Sequence, residues 1–129
     1  MANDVIAAVA TPAGRGGVAV IRISGPSLRP LLSGLVNAEL LPRRATLARF
    51  RDANDATIDQ GIALFFPAPH SYTGEDVIEL QGHGGPVVVQ MLLARCLELG
   101  ARIAEPVNIP SALFLMAGSI WRRPRVLPI

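Results

Sequence analysis

At 129 residues, half of them apolar and 17% charged, the chain reads as one folded domain, large enough to bury a core without disulfides or metals. Residues 1–106 hold nine arginines against ten acids, while Arg122, Arg123 and Arg125 stand in a tail with no acid, so a nucleic-acid-binding basic face is not expected before residue 107. One cysteine excludes an internal disulfide, and no stretch matches the about 20 apolar residues of a bilayer span; a reducing, cytoplasmic setting without membrane is the expectation.

Asp4, with no basic stretch before the first apolar run, gives no signal-peptide pattern. Asp4 to Ala10 reads as a short buried strand, and Thr11 to Gly17, with three glycines and a proline, as a loop. Val18 to Ile23 is a strand, β-branched except at Ala19 and Arg22. Ser27 is placed as the N-cap of a helix to about Val36, with Leu28, Leu31, Leu32 and Leu35 on one stripe. Thr46 to Phe50 and Ile58 to Phe66 form a hairpin across the Asp52–Asp55 turn. Val77 to Gln81 is a strand. Pro86 to Leu99 is a helix started by its proline and stopped by Gly100, with Val87, Val88, Met91, Leu92 and Cys96 expected to face the core. Ala101 to Ala104 is a last short strand. The sum is an α+β fold: a mixed, largely antiparallel sheet of about five strands, with two or three helices mainly on one face.

The densest chemistry lies in Ser71 to Pro86. Gly82-His83-Gly84-Gly85-Pro86 places backbone N–H groups at a helix start, where an anionic group is favoured. A tight strand-to-helix turn would ask for the same glycines. Glu79 sits in a strand expected to be buried, and Arg22 in another, Val20-Ile21-Arg22-Ile23. Such charges either meet each other or meet a ligand with complementary donors. His83 reads as a turn residue, Cys96 as core, and His70 carries no signal; no catalytic residue and no metal site is assigned. Thr11–Gly17 lacks the Gly-x-x-x-x-Gly-Lys-Ser/Thr pattern, and a chain without lysine cannot supply its phosphate-gripping residue, so nucleotide hydrolysis is rejected.

Thr11-Pro12-Ala13-Gly14-Arg15-Gly16-Gly17-Val18, Ile21-Arg22-Ile23-Ser24-Gly25-Pro26, Gly61-Ile62-Ala63-Leu64 and Tyr72-Thr73-Gly74-Glu75-Asp76 through Gly85-Pro86 follow one another in a familiar order. Together they resemble the N-terminal domain of the MnmE (TrmE) family of tRNA-modification GTPases, from about Asp4 to Pro106. The resemblance implies a fold similar to the tetrahydrofolate-binding domain of the glycine-cleavage T protein. It implies homodimerisation and binding of 5-formyl-tetrahydrofolate as one-carbon donor. Arg22 and Glu79 fall on folate-contacting positions, with the glycine nest of Gly82, Gly84 and Gly85 as the further cofactor-binding candidate. A pterin offers an amino group beside a ring N–H, which one carboxylate accepts together. The family's partners are an MnmG-like flavin enzyme and, through the full-length complex, tRNA, whose wobble uridine receives an aminomethyl-type group. GTP, Mg and K belong to a G domain that has no counterpart in this sequence.

The resemblance stops at about Pro106. Back-translated with one base restored, Val107 onward can encode Gly-Glu-His-Ser-Glu-Arg-Ala-Phe-Leu-Asn-Gly-Arg-Leu-Asp-Leu, close to the family's continuation, so residues 107–129 are read as an out-of-frame tail. Two other readings stand beside the family one. A stand-alone folate-dependent aminomethyltransferase would use Asp76 or Glu75 at the reacting nitrogen. A truncated fragment without function is the other.

Overall fold

A computed structural model describes residues 5–10, 17–71, 73–83 and 85–104. In chain order the elements are β1 (Ile6–Val9), β2 (Val18–Gly25), α1 (Arg29–Leu35), β3 (Thr46–Arg51), β4 (Thr57–Phe66), β5 (Asp76–His83), α2 (Pro86–Glu98) and β6 (Arg102–Ile103). One sheet joins all the strands in the order β3-β4-β5-β2-β1-β6. Neighbours run antiparallel except β1 and β6, which are parallel. The α+β class is as expected. The sheet has six strands instead of about five, the short β6 closing one edge beside β1.

Strand alternation sorts the side chains. Ile21 and Ile23, Ile78 and Leu80, Ala63 and Phe65, and Phe50 share one face with the leucine stripe of α1 and with Leu92 and Cys96 of α2. Each large side chain buried there contributes roughly 1.5–3 kcal/mol. Cys96 is sealed in this core, and burial pushes its thiol up to about 12, as suits a packing residue.

Three local expectations change. Ser27 does not cap α1; the N-cap position is Leu28, whose amide donates to Asp76 Oδ2 at 3.1 Å. Asp76 Oδ1 accepts the Ala68 amide at 2.9 Å, so one carboxylate ties α1, the segment after β4 and the start of β5. Val87 and Met91 do not face the core: they are 66% and 44% exposed, because Leu92 and Cys96, one turn apart, set which side of α2 meets the sheet. Finally, β5 runs on through Gly82 and His83, two residues beyond the expected end at Gln81.

Two further signals act as read, while Asp4 and Thr11 to Gly16 of the expected first strand and loop lie outside the described residues. Asp52 Oδ1 accepts the amides of Asn54 and Ala56 in the β3–β4 turn. Gly100, at φ +107°, ends α2 in the left-handed conformation, and the Ala101 amide reaches back to the Cys96 carbonyl at 2.9 Å.

Candidate functional site

Both helices pack on one side of the sheet, and among the described residues no helix packs on the other. Register fixes that second face row by row. Ala8, Arg22, Glu79 and Leu64 stand side by side across β1, β2, β5 and β4. The neighbouring row holds Val20, Gln81, Ile62 and Leu47; the row on the other side holds Ile6, Ser24, Val77 and Phe66. Polar groups therefore form a column in the two central strands, flanked by apolar side chains.

Arg22 and Glu79 are direct cross-strand partners, and Arg22 Nε donates to Glu79 Oε2 at 2.8 Å. Their side chains are 23% and 10% exposed, so the pair is largely desolvated yet open on one side. Glu79 Oε1 accepts from Gln81 Nε2 at 3.2 Å. An ionised carboxylate offers about four acceptor sites, so two of them remain. Ser24, fully buried, shares a hydrogen bond of 2.8 Å with Thr73, which anchors the 73–76 segment beside the column.

The glycine segment is arranged differently from a nest of free amides. Gly82 is paired with Ala19 inside the sheet and belongs to the helix-covered face, where a Cβ would meet Asp59 Oδ2 at 2.5 Å. The His83 amide donates to that same Asp59 oxygen at 2.8 Å, and His83 Nδ1 lies 2.7 Å from Asp59 Oδ1. Gly85 is the N-cap residue of α2, with open space where a Cβ would stand; Gly84 lies outside the described residues. The structure thus brings Arg22 and Glu79 together and places Gly82 and Gly85 elsewhere. Asp76 and Glu75 lie at the entrance to β5, and both oxygens of Asp76 are already engaged by amides.

Asp59 is the residue that sequence reading missed. Its side chain is 9% exposed beneath a 74% exposed imidazole. Burial, the largest influence, pushes its carboxyl up; the amides of His83 and Gln60 and the His83 ring outweigh it and hold the group below its ordinary value. A carboxyl depressed in the folded state stabilises fully above its unfolded value, about pH 4, and that contribution is lost as pH falls through the lower folded value. Asp59→Asn is expected to cost about 1 kcal/mol at pH 7 and to flatten the acid limb below pH ~4. Urea midpoints measured between pH ~2.5 and 7 check this; an acid limb as steep as the parent's would remove Asp59 from the account.

Fold and site define a small α+β domain with one face sealed by helices and the other presenting a desolvated charged pair. The chain belongs to the family described as GTP-binding protein TrmE N-terminus, whose model matches residues 5–108. It is 63% identical over 112 residues to the tRNA modification GTPase MnmE of Azoarcus sp. (strain BH72), covering 87% of this chain and 25% of that protein. Against the protein of the same name from Nitrosospira multiformis it is 59% identical over 113 residues, 88% of this chain and 25% of the relative. The Dechloromonas aromatica protein, also a tRNA modification GTPase MnmE, shares 60% identity over 115 residues, 89% of this chain and 26% of the relative. The chain spans about a quarter of the length of these curated relatives. Residues 107–129, where an out-of-frame tail was expected, lie outside the described residues.

Proposed function

We propose that this domain binds a reduced folate, 5-formyl-tetrahydrofolate, on the sheet face opposite α1 and α2, and that it pairs with a second copy. In the complete protein it would serve a cytoplasmic tRNA-modification GTPase acting with an MnmG-like flavin enzyme on the wobble uridine of tRNA. GTP, Mg and K would be handled by the G domain of the complete protein, not by these residues.

One observation carries the reading: Glu79, held by Arg22 and retaining acceptor capacity, is set in a polar column between apolar flanks. A flat heteroaromatic ring with adjacent N–H donors on one edge matches that surface. Its faces would lie on Ile62, Leu64 and Val20, and its donor edge would meet the Glu79 carboxylate. Arg22, donating from Nε to Oε2, fixes the carboxylate's orientation. The folate would supply the one-carbon unit; the residues here bind and orient, and none is assigned a chemical step. Exposed Leu47 and half-buried Ile62, Leu64 and Phe66 extend the apolar area beyond one ligand, which suits coverage by a second copy.

Calorimetric titration of the chain with 5-formyl-tetrahydrofolate tests the proposal. Saturable heat is expected from the parent, and Glu79→Gln, which removes the charge from the acceptor, should weaken binding by about 10- to 100-fold. A parent that shows no heat, or a variant that binds as well, would discard this site. Light scattering at several concentrations reads the dimer separately.

A further inference from the structure

The near-neutral charge of residues 1–106 conceals an uneven distribution. Most acids are consumed inside the fold. Asp52 and Asp76 accept backbone amides, Asp59 holds His83, Asp55 takes Arg49 and Arg51, Glu79 takes Arg22, and Glu98 takes Arg95. Arg51 and Arg95 also bond carbonyls that tie α1 and β3 together. Arg29, Arg43 and Arg44 behave otherwise. All three are exposed, and among the described residues none of their guanidinium groups has a hydrogen-bond or ion-pair partner.

Arg29 and Arg43 both meet Phe65, and Arg44 follows Arg43 in the chain. Arg29 lies over the Phe65 ring, 5.0 Å from its centroid, and the Arg43 amide donates to the Phe65 carbonyl at 2.7 Å. Pro42 bridges to Phe65, and the Arg44 amide closes a turn onto the Leu41 carbonyl at 3.2 Å. Arg43 is held at φ 59°. The backbone presenting these cations is therefore fixed to the sheet and does not trail as a loose loop. Glu39 is the acid nearest in sequence, and it is exposed and makes no ion pair with them among the described residues.

We propose that Arg29, Arg43 and Arg44 form a contact surface for the phosphate backbone of a folded RNA. Guanidinium groups that are exposed, without a hydrogen-bond or ion-pair partner among the described residues, and presented from backbone tied to the sheet suit phosphate oxygens, and the fork geometry of arginine favours that contact. The choice of RNA as the polyanion rests on the tRNA-modification reading above. Such a surface positions a substrate without reading its bases.

The test is fluorescence anisotropy of a labelled tRNA transcript with the 129-residue chain across a salt series. Three variants are compared with the parent: Arg29→Gln/Arg43→Gly/Arg44→Gln, the charge-retaining Arg29→Lys/Arg43→Lys/Arg44→Lys, and the tail variant Arg122→Gln/Arg123→Gln/Arg125→Gln. Glycine at position 43 suits the positive φ, which protects the fold of the first variant. The proposal expects that variant to bind about tenfold or more weakly, with the salt slope reduced by roughly 2, while the lysine and tail variants keep most of the binding. Binding by the first variant equal to the parent's overturns the proposal, as does a parent that binds no tRNA or a loss confined to the tail variant. Duplex DNA competing as well as tRNA overturns the assignment to RNA. Folate heat should be unchanged in the first variant, so failure here and failure of the folate site are read separately.

Discussion

Replacing Arg22 with leucine is expected to destabilise the domain by about 3 kcal/mol, because Glu79 would be left largely buried with Gln81 as its one remaining hydrogen-bond partner among the described residues. Breaking a buried pair costs roughly 3–5 kcal/mol, and the partial exposure of Arg22 places the expectation at the low end. The double variant Arg22→Met/Glu79→Leu should recover most of that loss, since an apolar pair of similar volume removes both desolvated charges. It should also abolish folate heat. Urea denaturation and the titration, run on the same three proteins, separate two roles for the pair. Recovered stability with lost binding identifies a pair retained for a ligand. A single variant within about 0.5 kcal/mol of the parent would show that the pair is solvated in solution, and the site would lose its central feature.

The second large effect concerns Gly61. A Cβ there would fall far inside contact distance of the Gln81 carbonyl oxygen and close to the Gly82 Cα, both in the adjoining β5 backbone. No side-chain rearrangement relieves a backbone clash between the adjoining strands β4 and β5. Gly61→Ala is expected to cost at least about 3 kcal/mol, at or above the upper end of the usual range for overpacking. Gly17→Ala, where a Cβ meets nothing within 4 Å, should stay within about 0.5 kcal/mol of the parent. Since β4 and β5 carry Leu64, Ile62, Glu79 and Gln81, any Gly61 variant that folds should bind folate less well than the Gly17 variant.

The strands and helices were legible from residue type and punctuation. The β-branched run Val18–Ile23, the Asp52–Asp55 turn before Ile58–Phe66 and the Pro86–Gly100 bracket each name an element with little competition. Arg22 and Glu79 stood out as opposite charges inside apolar strands, although nothing local states that they are direct partners; that follows from register across β2 and β5. The errors share a cause. Ser27 looked like a cap because the capping carboxylate, Asp76, lies 48 residues away. Gly82 looked like part of a nest because nothing adjacent to it reveals Asp59, which reaches it from β4. Alternation did hold a clue: Asp59 lies in step with Ala63 and Phe65, an acid on the core-facing side of its strand. Val87 and Met91 were misplaced because Pro86 to Met91 is apolar on nearly every side, and only contact with the sheet selects the inner stripe.

The attachment of α1 to Asp76 constrains the order in which the chain can assemble. A seven-residue helix is too short to persist alone, and its first amide finds its acceptor only when the sixth element has been made. That same element, β5, stands between β2 and β4 and joins the hairpin to the remainder of the sheet. During synthesis, then, most of the first 75 residues emerge before any lasting architecture exists to receive them. The polypeptide must tolerate exposed leucines on the ribosome until one late strand closes both halves at once.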